Sequence, residues 1–214
     1  MNRRSWIIAG GALLLERLSA QAPVADPRSR EALIRVAEKI RKKLVMLSAY
    51  SVFDAISFNM EPSPGGYKVT LLGFVSKPSL KDSASRALKG VEEIENVVNQ
   101  IEVLPLSRHD ENIRTAVYLK IYYHPSLSRY NPNRGAPVYG SPMGWRRAQA
   151  IGISNDPPPG IHPVSIIVRN GEVTLMGQVD NDMDKQLAGM LANQVSGVFK
   201  VTNGLTTVQK PKAK

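Results

Sequence analysis

Three histidines, His109, His124 and His162, are the first residues to weigh for chemistry in this chain. None has a second ligand-type side chain at the helical spacing a metal site needs, and two of them precede proline in turn-like contexts. They read as structural or surface residues. Asp180, Asp182 and Asp184 alternate at a helix entrance, but the later Gly and Glu of a calcium loop are missing. Their simpler role is to offset the positive end of a helix. The sequence has no G-x-S-x-G elbow and no phosphate-cradling glycine loop. No catalytic residue, cofactor or metal is expected, and the chain reads as a non-enzyme. The remaining chemistry is that of binding. Between Ser128 and Gly160, Arg129, Arg134, Arg146 and Arg147 are interleaved with Tyr130, Tyr139 and Trp145, with Met143 close to the Trp. Arginine can hold phosphate while a neighbouring ring inserts or stacks.

Composition agrees with binding rather than reaction. The 214 residues carry a net charge of +10 and contain no cysteine. Disulfides, thiol chemistry and an acylated-cysteine anchor are therefore excluded. The positive balance favours anionic lipid, nucleic acid or a polyanionic wall polymer. Residues 1–22 have the layout of a secretory signal: Arg3 and Arg4, an apolar run from Trp6 to Leu15, and small residues around Ser19–Ala22. That run is about half the ~20 residues that span a bilayer. Export argues for a periplasmic or secreted protein and against a nucleic-acid partner. Lys210–Lys214, within residues 209–214, form a basic tail.

The elements that must position the binding residues come in two copies. Val69–Val75 reads V-T-L-L-G-F-V and Val173–Val179 reads V-T-L-M-G-Q-V, an offset of 104 residues. The offset holds without a gap from Val69 to Val103, pairing Val91 with Val195, Val97 with Val201 and Asn99 with Asn203. A period of this length is a domain rather than a solenoid repeat. In the first copy, residues 28–105, a helical pattern over Ala32–Leu47 precedes strands at Val52–Met60 and Tyr67–Val75. A helix marked by Leu80 to Val91 and a strand at Val97–Leu104 follow. In the second, residues 106–208, Ser107-x-x-Asp110 is a capping box opening a helix. A hairpin at Ser165–Arg169 and Glu172–Val179 turns on Asn170-Gly171. A helix marked by Met183 to Val195 then precedes a strand at Val198–Val208. The expected class is α+β: two modules of order α-β-β-α-β, each a small three-stranded mixed sheet covered by two helices. Residues 128–160, rich in proline and glycine, have no counterpart in the first copy and read as a long loop without regular structure.

Tyr118 and Tyr122 lie one turn apart, away from the Ile113, Ala116 and Val117 face of their helix. A helix with two such faces packs on two things. The second is either the first module or a membrane interface, where tyrosine rings suit the headgroup boundary.

The strand V-T-L-x-G-x-V, followed by a helix and V-x-G-V-x-x-V-x-N-x-L, resembles the BON domain (bacterial OsmY and nodulation). The second copy carries Gly171, Gly177, Gly197, Val198, Val201, Asn203 and Leu205. The first departs at Glu93, where the motif has Gly, which predicts a different helix-to-strand turn. Gly73 and Gly177 read as architecture: a bulge or a close helix crossing. The resemblance implies a tandem envelope protein that binds phospholipid and supports envelope integrity under osmotic stress, with lipid contact on the second module. Two contacts are weighed: an anionic phospholipid membrane surface, or another envelope protein for which this one is an adaptor. The contact residues expected are Tyr118, Tyr122, Arg129, Tyr130, Arg134, Tyr139, Trp145, Arg146 and Arg147.

Overall fold

A computed structural model describes residues 27–134 and 141–208. The expected signal, Tyr139 and the basic tail lie outside them. The first module opens with α1 (Pro27–Val45), which buries Val36, Ile40 and Leu44. β1 (Ala55–Ser63) turns tightly into β2 (Gly66–Val75), and the two pair antiparallel. α2 (Pro78–Leu88) lays Leu80, Ala84 and Leu88 on the same core. The chain then returns beside β2, in parallel, as β3 (Ile94–Asn99) and β4 (Glu102–Val103). One strand was expected there; it is stepped between Asn99 and Glu102. Pairing survives the step, because Gln100 N donates to Leu71 O at 2.8 Å and Leu104 N to Val75 O at 2.8 Å.

The second module repeats the order. It comprises α3 (Arg108–Tyr122), β5 (Val164–Arg169), β6 (Glu172–Val179), α5 (Asp182–Asn193) and β7 (Lys200–Thr207). β5 is antiparallel and β7 parallel to the central β6. Each sheet is thus mixed and covered on one face by two helices, as expected.

The 104-residue offset extends to hydrogen bonds. Asn99 donates from Nδ2 to Lys81 O at 2.8 Å and accepts from Ile101 N at 3.1 Å. Asn203 donates to Lys185 O at 2.6 Å and accepts from Leu205 N at 3.3 Å. In both modules this amide bolts the last strand to the second helix. Gly73 and Gly177 are also equivalent, with φ of 116° and 121°. A Cβ at either would meet a carbonyl oxygen, Ala55 O or Pro163 O, at 2.0 Å. The close approach is to the neighbouring strand, not to a helix, and the register with that strand runs through each glycine without a shift, so neither a helix crossing nor a bulge is found there. Gly197, at φ 87°, abuts the His109 ring. Glu93 stands in its place in the first module, without a positive φ, and the two turns differ accordingly.

Two expectations fail in ways that matter for function. The first strand begins at Ala55, not Val52, because the Asp54 carboxylate folds the preceding residues into a turn. It accepts from Ser51 N (2.8 Å), Ser51 Oγ (2.6 Å), Ser76 N (2.6 Å) and Ser76 Oγ (2.9 Å). Burial pushes this carboxyl above its ordinary range, and those donors pull it back. Residues 128–160 also contain regular structure: a short 3-10 turn (Ser128–Tyr130) and a helix, α4 (Pro142–Ile151). Ser141 caps α4 by accepting from Gly144 N at 3.1 Å, and Pro142 suits the first helical position.

Candidate functional site

The two tyrosines expected at the surface are enclosed. Tyr118 and Tyr122 are both 0% exposed and belong to the second module's core. Tyr118 meets Phe53 edge-on at 6.4 Å between ring centroids, Tyr122 at 5.0 Å and His162 at 5.8 Å. Tyr122 Oη donates to Val164 O at 2.5 Å and accepts from Val164 N at 3.1 Å. Burial drives its hydroxyl pKa well above the usual value. Neither ring offers a lipid contact. The second apolar face of α3 is covered instead by Phe53, from the first module, and by His162, just past the insertion. The interdomain contact weighed for this helix is what the structure contains.

That contact is continuous. Val52 O accepts from Ile166 N at 2.7 Å, along the edge of β5 away from β6. Glu102 pairs with Arg169 at 3.0 Å, and Lys77 Nζ donates to Asn155 O at 3.2 Å. Phe53 was not among the expected functional residues. Its signal was only an aromatic beside Asp54, read as part of a strand.

Several expected contact residues serve inside the fold. Arg129 binds Asp180 at 2.9 Å and Asp184, and lies over the Tyr130 ring at 4.8 Å. Asp180 holds its guanidinium pKa above the ordinary value. Tyr130 Oη donates to Asp184 at 2.6 Å and accepts from Asp180 N at 2.8 Å. Burial and the hydrogen bond to Asp184 push its hydroxyl up to about 12. The aspartates at the start of α5 thus tie down the beginning of the insertion. Its far end is tied by Glu111, whose Oε2 accepts from Ser154 N at 3.1 Å while Oε1 pairs with buried Arg114 at 2.6 Å. Arg147 pairs with Asp156. Among the described residues, no three His, Asp or Glu side chains gather as a metal site would require.

What remains outward lies on α4 and before it. Gly144 and Ala148 are buried, the latter in the core, so small residues bring α4 against the module. Its other side leaves Met143 78% exposed, with Arg146 exposed and Trp145 half-buried. Arg134 is exposed as well. No described helix is long and apolar enough to cross a membrane.

The chain belongs to the BON domain family, whose model matches residues 35–105 and 152–209. The second match begins at the end of α4, leaving α3 and most of the insertion outside it. No enzymatic family is indicated. Among solved structures, the chain is similar to the C-terminal domain of CdsD, the structural protein of the type III secretion system of Chlamydia trachomatis. Identity is 13%, covering 82% of this chain and 98% of that one, with a TM-score of 0.26. A second CdsD structure matches at the same identity and TM-score and is covered to 94%. No curated protein matches significantly.

Proposed function

We propose that this is an exported, non-catalytic protein of the bacterial envelope that holds to anionic phospholipid surfaces and supports envelope integrity. BON modules are associated with the envelope and with phospholipid. The observation that carries the reading here is α4, a helix seated on small residues that turns Met143 and Arg146 to solvent. Arg146 and Arg134 attract headgroups at about 1 kcal/mol each near the surface. Met143 and the accessible part of Trp145 then partition at the interface. Arg129 and Arg147 through their ion pairs, and Tyr130 through its hydrogen bonds, shape this surface rather than touch lipid.

Liposome co-sedimentation tests the reading. The purified protein is expected to sediment with anionic vesicles at low salt, less so at high salt, and weakly with zwitterionic ones. Arg146→Glu reverses one charge and should weaken anionic binding about tenfold or more. Unchanged binding by that variant moves the contact off α4. No sedimentation with either lipid at low salt sinks the lipid reading, and retention of an envelope protein by the same sample then favours the adaptor.

A further inference from the structure

Phe199 is an aromatic side chain left 78% exposed at the junction of α5 and β7. It does not dangle. Its ring lies over the Asn170-Gly171 turn so closely that a Cβ on Gly171 would sit 2.6 Å from it. Its N–H donates to Gly171 O at 3.0 Å. His109 flanks it at 6.3 Å between ring centroids, and an imidazole nitrogen of His109 lies 3.3 Å from Gly197 O. The turn beneath is fixed from below. Buried Asp110 accepts from Asn170 N at 2.9 Å and Gly171 N at 2.8 Å, so its charge is spent on backbone donors. The carboxylate of the expected capping box is therefore used on the hairpin, while Ser107 alone caps α3 by accepting from Asp110 N at 3.2 Å.

The surroundings are apolar and cationic. Leu106, three residues before His109, is 93% exposed. Arg108 and Lys200 are exposed neighbours of His109 and Phe199 in the chain. The acidic neighbour is Glu172, opposite Lys200 in the strand register. Set against it are two permanent cations and a histidine. An exposed aromatic braced on a fixed turn, with an exposed leucine and two exposed cations close to it or to His109 in the chain, matches a surface that is apolar below and anionic above.

We propose that this platform, with Phe199 and Leu106 as its apolar tips and Arg108 and Lys200 as its cations, is a second contact with the anionic phospholipid interface, separate from α4. The proposal rests on the lipid reading. It makes attachment two-point, so that each contact raises the effective concentration of the other.

The chain has no cysteine, so a single introduced one takes a spin label uniquely. Phe199→Cys, Leu106→Cys and Met143→Cys would each be labelled and mixed with vesicles of phosphatidylglycerol and phosphatidylcholine. Collision with oxygen and with a water-soluble nickel chelate reports depth. Labels at 199 and 106 are expected to gain oxygen and lose nickel collisions on binding. In unlabelled protein, Phe199→Ala should weaken sedimentation about fivefold or more, with an unaltered melting midpoint. If the Met143→Cys label buries while those at 199 and 106 stay in water, the platform is overturned and the α4 reading stands. If no label moves and nothing sediments, both fall.

Discussion

Phe53→Ala is expected to destabilise the second module, although residue 53 belongs to the first. The ring is fully buried in the cluster that contains Tyr118, Tyr122, Val164, Leu175 and Leu205. Truncating such a residue removes its transfer free energy and leaves a cavity, together about 3–5 kcal/mol. In a chain of this length that is a fall of roughly 10 °C in melting midpoint. The location of the loss distinguishes this account from a general one. Amide exchange should quicken along β5 and α3, Ile166 included, whose N–H is held by Val52 O. The β1–β2 ladder should keep its protection, since its own core is built from Val69, Leu71, Val75 and the residues of α1 and α2. Loss of protection confined to β1 and β2 would contradict the placement of Phe53.

The modular framework was legible because it is local and repeated. Valines at alternate positions, a glycine where a neighbouring carbonyl leaves no room for Cβ, and an asparagine that bonds to the preceding helix recur at one offset. Each leaves the same mark in both copies. The site was less legible. Helical periodicity shows that Tyr118 and Tyr122 sit on a second apolar face, but not what covers that face. The cover is Phe53 and His162, both remote in sequence from α3; Phe53 reads as part of an alternating strand, and His162 lies in a segment without a period. α4 is hidden in the sequence because prolines and glycines crowd the insertion as a whole. They flank the helix, apart from Pro142 at its start and Gly144 on its buried side. The arginines were recognised as ligands of anions, and Arg129 and Arg147 are such ligands, but their anions are Asp180, Asp184 and Asp156.

These ion pairs bear on how the insertion serves the second module. Its two ends are pinned to α3 and α5 by Glu111, Asp180 and Asp184, and its Ala148 and Ile153 are buried in the same cluster as the tyrosine pair. The excursion that breaks the symmetry is therefore a lid on the core as well as the support of α4. A change that loosens the lid would unsettle the proposed membrane contact and the core together.

His162 is where such loosening is expected, on acidification. Its ring stands nearly perpendicular to that of Tyr122, 4.9 Å between centroids, and at 68° to that of Tyr118. Nδ1 lies 3.0 Å from Gly160 O; the carbonyl can only accept, so Nδ1 carries the proton of the neutral ring. Nε2 is buried without a partner. Protonating it would place a cation against two tyrosine rings, with no carboxylate in reach among its hydrogen bonds. Burial accordingly lowers its pKa from 6.5 to about 4. The sign follows from linkage: between these values the unfolded chain binds a proton that the folded chain refuses, so stability is complete above about 6.5 and declines towards 4. The upper bound is about 3 kcal/mol, reduced because the ring is only half-buried. The melting midpoint of the wild type should therefore fall more steeply from pH 7 to 4 than that of His162→Asn, which keeps a donor for Gly160 O, or His162→Phe, which keeps a ring. Asp54, whose raised pKa acts in the opposite sense, is present in all three and cancels in the comparison. Parallel pH profiles for the wild type and both variants would show that the imidazole is not the acid-sensitive group.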